Sequence, residues 1–182
     1  MKKSIFAVSL VSLMLLNTGG QLKEIAHKPN EPTIQFNLTK ELIEQGKQKA
    51  AQRLLDKQKL MLHKVIKYIE TKVQITPYIF SGSSVRGWDC SGLVRYAYGR
   101  LNIELPHSAD KQAHSGKRVS KPQLGDIVAF AYPNSTRFYH SGIYLHDGLV
   151  LNANAYFKTT IIEPLTNYKG KQIRFIRILD GN

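Results

Sequence analysis

The hydrophobic period of this chain changes once, from helical to alternating, and that order limits the fold. From about Thr39 to Lys72, Ile43, Ala50, Leu54, Met61, Val65 and Ile69 recur at helical spacing. From Gln123 onward the apolar residues gather into short β-branched and aromatic runs: 127–132, 141–145, 149–152, 159–162 and 172–179. Gly125-Asp126, Pro133-Asn134, Asp147-Gly148 and Pro164 punctuate those runs as turns. Between the two regimes lies a Ser/Gly-rich loop (residues 78–89). It is followed by Cys90 to Leu101, apolar at Leu93, Val94, Ala97, Tyr98 and Leu101, as in a core-facing helix. Helices first and strands after them predict an α+β domain, with N-terminal helices packed on a five- or six-stranded antiparallel sheet.

The segments before residue 63 read differently. Lys2 and Lys3 precede an apolar run from Ile5 to Leu16, and Thr18, Gly19 and Gly20 offer small residues for cleavage. Residues 1–20 are therefore expected to be an export signal, with an uncleaved anchor as the competing reading. The run ends too early for a spanning helix, which needs about twenty apolar residues. Residues 21–38, with Pro29, Asn30 and Pro32, read as a linker. Residues 39–62 read as a basic amphipathic helix capped by Thr39, and 63–182 as the main domain. Lys49, Arg53, Lys59 and Lys67 line the far face of the helical stretch 39–72: either a solvated face or a surface for an anionic wall polymer or membrane.

The formal net charge of +13 favours anionic partners without choosing among them. The basic residues are dispersed and no helix-turn-helix or zinc pattern occurs, so nucleic acid is not expected. His27, His63, His107, His114 and His146 show no metal-ligand spacing, and neither a metal nor another cofactor is expected.

The single cysteine, Cys90, carries the chemistry. An exported chain enters an oxidising compartment, where structural cysteines come in pairs. An inert buried thiol, an intermolecular bridge and a nucleophile are the three readings. Cys90 lies in Trp88-Asp89-Cys90-Ser91-Gly92, after the loop and at the start of the helix. Unpaired backbone N–H groups and the helix dipole favour a thiolate there. His140 opens an apolar strand. Asn152, across the turn at Asp147-Gly148, lies on the next strand, so pairing the two brings His140 and Asn152 together. Asn152 can then orient the imidazole as base for Cys90. Asp89 is a helix cap or a ligand contact, and Tyr78 and Trp88 are core or site residues.

These strings resemble the NlpC family of cell-wall cysteine peptidases. Pro77 to Gly82 with Trp88-Asp89-Cys90-Ser91-Gly92-Leu93-Val94 resembles its nucleophile motif. Leu105-Pro106-His107-Ser108 with Gln112 and Gly116, then Leu124 to Phe130, then His140-Ser141-Gly142-Ile143-Tyr144, follow in the family's order. The resemblance implies a papain-like fold and metal-free hydrolysis of peptidoglycan stem peptides, commonly after D-glutamate. It implies Cys90 as nucleophile, His140 as base, Asn152 at a third position where the family often has His, Tyr78 near the oxyanion, and Asp89 and Ser91 against the stem peptide. Ser81 stands where the family usually has glycine, and His107 where it often has Arg. A non-catalytic wall-binding module and a thiol acyltransferase of the same fold are the alternatives.

Overall fold

The computed structural model describes residues 32–180, with side chains from residue 39; the expected signal segment 1–20 lies outside them. The chain falls into two units, residues 1–42 and 43–182. The second carries the sheet and every residue of the site described below.

Helix α1 spans Pro32–Glu70. It begins seven residues before the expected cap at Thr39, which lies inside the helix. Pro32 explains the early start: at a first helical position its missing N–H and fixed φ cost nothing. The part of the expected linker 21–38 that is described is thus helical, and no break occurs at residue 62. The buried face also differs from the expected stripe. Leu55, Leu62, Val65, Ile66 and Ile69 are buried, whereas Ile43, Leu54 and Met61 are exposed. Leu54 and Leu55 point about 100° apart, and the face that meets the core passes through Leu55.

A two-strand hairpin follows, β1 (Ser83–Ser84) with β2 (Gly87–Trp88). It leads into α2 (Cys90–Gly99) and the short α3 (Ala109–Gln112). Helix α2 buries Leu93, Val94, Ala97 and Tyr98. The Tyr98 hydroxyl donates to the Gly125 carbonyl at 2.6 Å, tying the helix to the first long strand. The remaining strands are β3 (Lys117–Val119), β4 (Ile127–Ala131), β5 (Phe138–Tyr144), β6 (Leu149–Asn154), β7 (Thr159–Pro164) and β8 (Gln172–Arg177). They form one six-stranded antiparallel sheet in the order β3-β8-β4-β5-β6-β7. A 3₁₀ turn, Leu165–Tyr168, joins β7 to β8.

The expected α+β architecture is the observed one. Strand β3, three mostly exposed residues, carries no apolar alternation and was not expected. The main core lies between α1, α2 and the sheet face bearing Ile127, Ala129, Ile143 and Leu151. A smaller cluster of Val128, Phe130 and Val150 lies apart from it, with Tyr168 packed against it. Asp126, just before β4, grips Arg177 at the end of β8 in two hydrogen bonds of 3.1 and 2.8 Å.

Candidate active site

Cys90 is the first residue of α2, and Asp89 caps that helix. Asp89 Oδ1 accepts from Gly92 N at 2.7 Å, from the Ser91 hydroxyl at 3.0 Å and from His107 Nε2 at 3.0 Å. Its Oδ2 accepts from Ser81 N at 2.9 Å. One carboxylate therefore fixes the helix start, the preceding loop and the His107 segment together. Gly92 is required by this closeness. A Cβ there would strike the Gly82 carbonyl and come within 3.0 Å of His107 Nε2. Ser81 adopts a left-handed backbone, φ 59°. Asp89 and Ser91 are both buried and held by these internal bonds.

Cys90 is half-buried as a residue, and its sulfur is approached by the backbone N–H groups of Ser141, Ser91 and Cys90 itself. Burial is the largest influence and pushes the thiol up. The Ser141 N–H pulls it down, the Asp89 charge pushes it up, and the helix-start N–H groups pull it down; the net is upward. The expected resting thiolate is thus not what this environment favours. Burial of a lone charge outweighs the N–H groups around it, and the thiol needs a base to remove its proton.

An imidazole, that of His140, lies next to Ser141 in the strand. His140 Nε2 is 3.2 Å from Asn152 Oδ1. The amide's orientation is not free, because Asn152 Nδ2 donates to Glu163 Oε1 at 3.0 Å. A carboxylate accepts only, so Oδ1 must face the imidazole, and Nε2 must carry the hydrogen it accepts. Nδ1 of a neutral ring is then left with the free lone pair. Burial pushes the imidazolium down, while the Asn152 bond and the Glu163 charge push it up; the net is downward. The ring is stacked against Phe130 at 5.6 Å and Tyr168 at 6.0 Å between centroids. Gly142 lets β6 come this close: a Cβ there would meet Val150 Cγ1 at 2.7 Å and Asn152 Cβ at 3.0 Å. The β4–β5 register shifts between Phe130 and Ala131, beside His140, a common device for re-aiming a side chain.

Tyr78 lies in the loop before the β1–β2 hairpin, anchored by a hydrogen bond from its N to Lys158 O at 2.9 Å. Its phenol is pushed up by burial first, then by the charges of Cys90 and Asp89, so it stays protonated and able to donate. Trp88 is fully buried, and its indole N–H donates to Thr160 Oγ1 at 2.8 Å; it is a core residue.

Three residues join this site that chemical reasoning on the sequence did not assign. Gln112, fully buried, donates to Ser91 O at 2.8 Å and Pro106 O at 2.9 Å, and accepts from the Ser141 hydroxyl at 2.8 Å. It bridges the helix start that carries Cys90 and the strand that carries His140. Glu163 and Tyr168 lie behind Asn152. The only sequence signal of Glu163 is an acid at the end of a β-like run, which ordinarily reads as a solvent-facing residue, and Tyr168 lies beyond that run.

A thiol at a helix start, met by the N–H of a strand whose preceding residue is an imidazole bonded to an amide, fits the layout of cysteine hydrolases. Residues 75–177 match the NlpC/P60 family, and this chain belongs to it. The gamma-DL-glutamyl hydrolase of Bacillus subtilis is 37% identical over 109 residues, which are 58% of this chain and 26% of that protein. The gamma-D-glutamyl-L-lysine dipeptidyl-peptidase of Bacillus cereus is 32% identical over 92 residues, 49% of this chain and 28% of that protein. The chain thus spans about a quarter of the length of these curated relatives. Among solved structures, the peptidoglycan hydrolase RipB of Mycobacterium tuberculosis shares the fold at a TM-score of 0.58 and 20% identity, over 84% of this chain and 92% of that one. So does RipD of the same organism, described as a non-catalytic NlpC/P60 domain protein adapted to peptidoglycan binding, at 0.55 and 20% over 65% of this chain and 97% of that one.

Proposed function

We propose that this chain is an exported peptidoglycan endopeptidase that hydrolyses stem-peptide amides, with the bond between D-glutamate and the following diamino acid as its target. The observation that carries this reading is the hydrogen bond from His140 to Asn152, on a strand whose next residue, Ser141, directs its N–H at the Cys90 sulfur. It is supported by the enzymatic names of the curated relatives.

In this reading His140 Nδ1 takes the thiol proton as sulfur attacks the amide carbonyl. The Cys90 backbone N–H and the Tyr78 hydroxyl serve the developing oxyanion. The imidazolium returns its proton to the departing amine, leaving a thioester on Cys90. Water, deprotonated by the same ring, then hydrolyses it. Asp89 Oδ2, with a single internal partner, retains the capacity to accept from a substrate amine, beside Ser91. The N-terminal signal and the basic helix belong to the same proposal, the helix as the contact to anionic wall polymer or membrane.

The test is digestion of purified peptidoglycan by the wild-type chain beside Cys90→Ala, with released fragments identified by mass spectrometry. Stem fragments from the wild type alone support the enzyme and locate the bond. Retention on walls with no fragments from either protein overturns hydrolysis and leaves a binding module. Transfer of the acyl group to an added amine in place of water identifies an acyltransferase.

A further inference from the structure

The Glu163 side chain accepts four hydrogen bonds, as many as Asp89, yet it touches neither Cys90 nor His140 in any hydrogen bond described above. Its Oε1 accepts from Asn152 Nδ2 at 3.0 Å, Asn154 Nδ2 at 3.3 Å and the Tyr168 hydroxyl at 2.8 Å, and Oε2 accepts from Asn167 Nδ2 at 3.0 Å. The residue is buried, and none of these partners is a cation. Four neutral donors and no cation hold this buried carboxylate ionised, so its negative charge is left to act on the groups that face it. The sheet register explains why it is here. Glu163 pairs with Val150 and Ile161 with Asn152 across β6–β7, so Glu163 and Asn152 project from the same face.

Resting on the reading of Cys90 and His140 given above, we infer that Glu163 is a positioning residue. Its carboxylate locks the Asn152 amide with Oδ1 toward His140, and it supplies the negative charge behind the imidazolium that forms when Cys90 gives up its proton. Asn152 is neutral, so an Asn orienter alone offers a dipole where a charge develops. Glu163, one hydrogen bond further back, restores that charge. The proton balance is closed: it leaves Sγ, arrives at Nδ1, and Nε2–H stays bonded to Oδ1 throughout. The titratable groups facing Glu163 are His140 and Tyr139 on β5 and Tyr168 on the 3₁₀ turn. The tyrosines are pushed up and stay neutral, so the imidazolium is the cation that Glu163 meets.

Because Cys90 is the chain's one cysteine, iodoacetamide reports on it without interference. The alkylation rate is measured against pH for wild type, E163Q, N152D and the exchange variant N152D/E163Q, with circular dichroism confirming the fold. In wild type the rate rises with pH through the titration of the pair and reaches a plateau. E163Q removes the counter-charge: the plateau falls about tenfold, the change that one pH unit of lost charge stabilisation produces, and the rising limb moves to lower pH. N152D places a carboxylate directly on the ring and moves that limb to higher pH. The exchange variant puts the carboxylate at 152 and the amide at 163, and it recovers most of the E163Q loss. A side chain that merely fills space gives no recovery and no movement of the limb.

An E163Q profile that overlays the wild type overturns the inference. So does an exchange variant that is folded but no faster than E163Q. If E163Q does not fold, the exchange variant decides alone: a folded protein at near wild-type rate supports the inference, and a slow one overturns it. A wild-type profile with no rising limb on the acid side contradicts the Cys90–His140 pairing instead, so the two failures are distinguishable.

Discussion

Replacing Gln112 by methionine keeps the length of the side chain and deletes its amide, which isolates one clamp in the site. In the native protein that amide serves Ser91 O, Pro106 O and the Ser141 hydroxyl, at 2.8, 2.9 and 2.8 Å. A buried polar group that loses its partner costs about 1–3 kcal/mol. The Ser141 hydroxyl can turn to another acceptor, and the Pro106 carbonyl is only partly buried, so each loss falls toward the lower part of that range. Together the three come to about 3–5 kcal/mol, against a total stability of roughly 5–15 kcal/mol for a domain. At about 2–4 °C per kcal/mol for a chain of this size, the melting temperature drops by roughly 6–20 °C. Trp88 is the one tryptophan and is fully buried, so urea unfolding followed by its fluorescence reads the loss directly. Because Gln112 ties the Cys90 helix to the His140 strand, hydrolysis measured well below the variant's melting temperature also falls. A stability loss under about 1 kcal/mol with unchanged hydrolysis refutes the clamp.

Further outcomes follow from the same geometry. Hydrolysis of a soluble stem peptide holds below pH 6.5, because burial keeps His140 neutral past the usual imidazole value of 6.5; initial rates against pH check this. Stability falls with acid in two stages. The unfolded His140 binds its proton below pH 6.5 while the folded ring resists it, and Glu163, held below its usual 4.5 by its donors, gives up its contribution as pH falls through its lowered folded value. Urea midpoints across that range measure both stages, and a midpoint that rises toward acid contradicts them. Gly92→Ala cannot keep Asp89, Gly82 and His107 in place, and it loses hydrolysis together with at least about 2 kcal/mol of stability by urea unfolding. Arg177→Met strands the Asp126 carboxylate and costs about 3 kcal/mol by the same measurement, without changing the acid limb of activity.

How much of this was readable in the sequence varies by element. Strands β4 to β8 were legible because alternating apolar residues and turn dipeptides both mark them. Strand β5 begins two residues before His140, since Phe138 and Tyr139 follow a turn-like Asn-Ser-Thr stretch that hides the strand's start. Helix α1 was legible as a helix and not by face: a stripe shows that residues share a side, and only a partner decides which side is buried. The nearness of His140 and Asn152 was readable because a tight turn lies midway between them. Glu163 and Tyr168 were not, since their relation to Asn152 depends on the next strand's register and on a 3₁₀ turn. Gln112 was visible within a familiar string, but its three bonds reach elements that only the folded chain brings together.

The register shift between β4 and β5 acts as a parity switch. Phe138 pairs with Ala131 and His140 with Phe130, neighbouring positions on β4 that face opposite sides of the sheet. Two residues spaced as Phe138 and His140 would share a face in a regular strand. The extra residue, Tyr139, lets the first enter the main core with Ala131 while the second joins Phe130 and Tyr168. A regular pairing that kept Tyr139 in register would put both on one face and force the strand to give up either its core phenylalanine or its histidine. The chain thus ties the placing of His140 to a bulge in the strand pairing, a constraint that substitution alone cannot reveal.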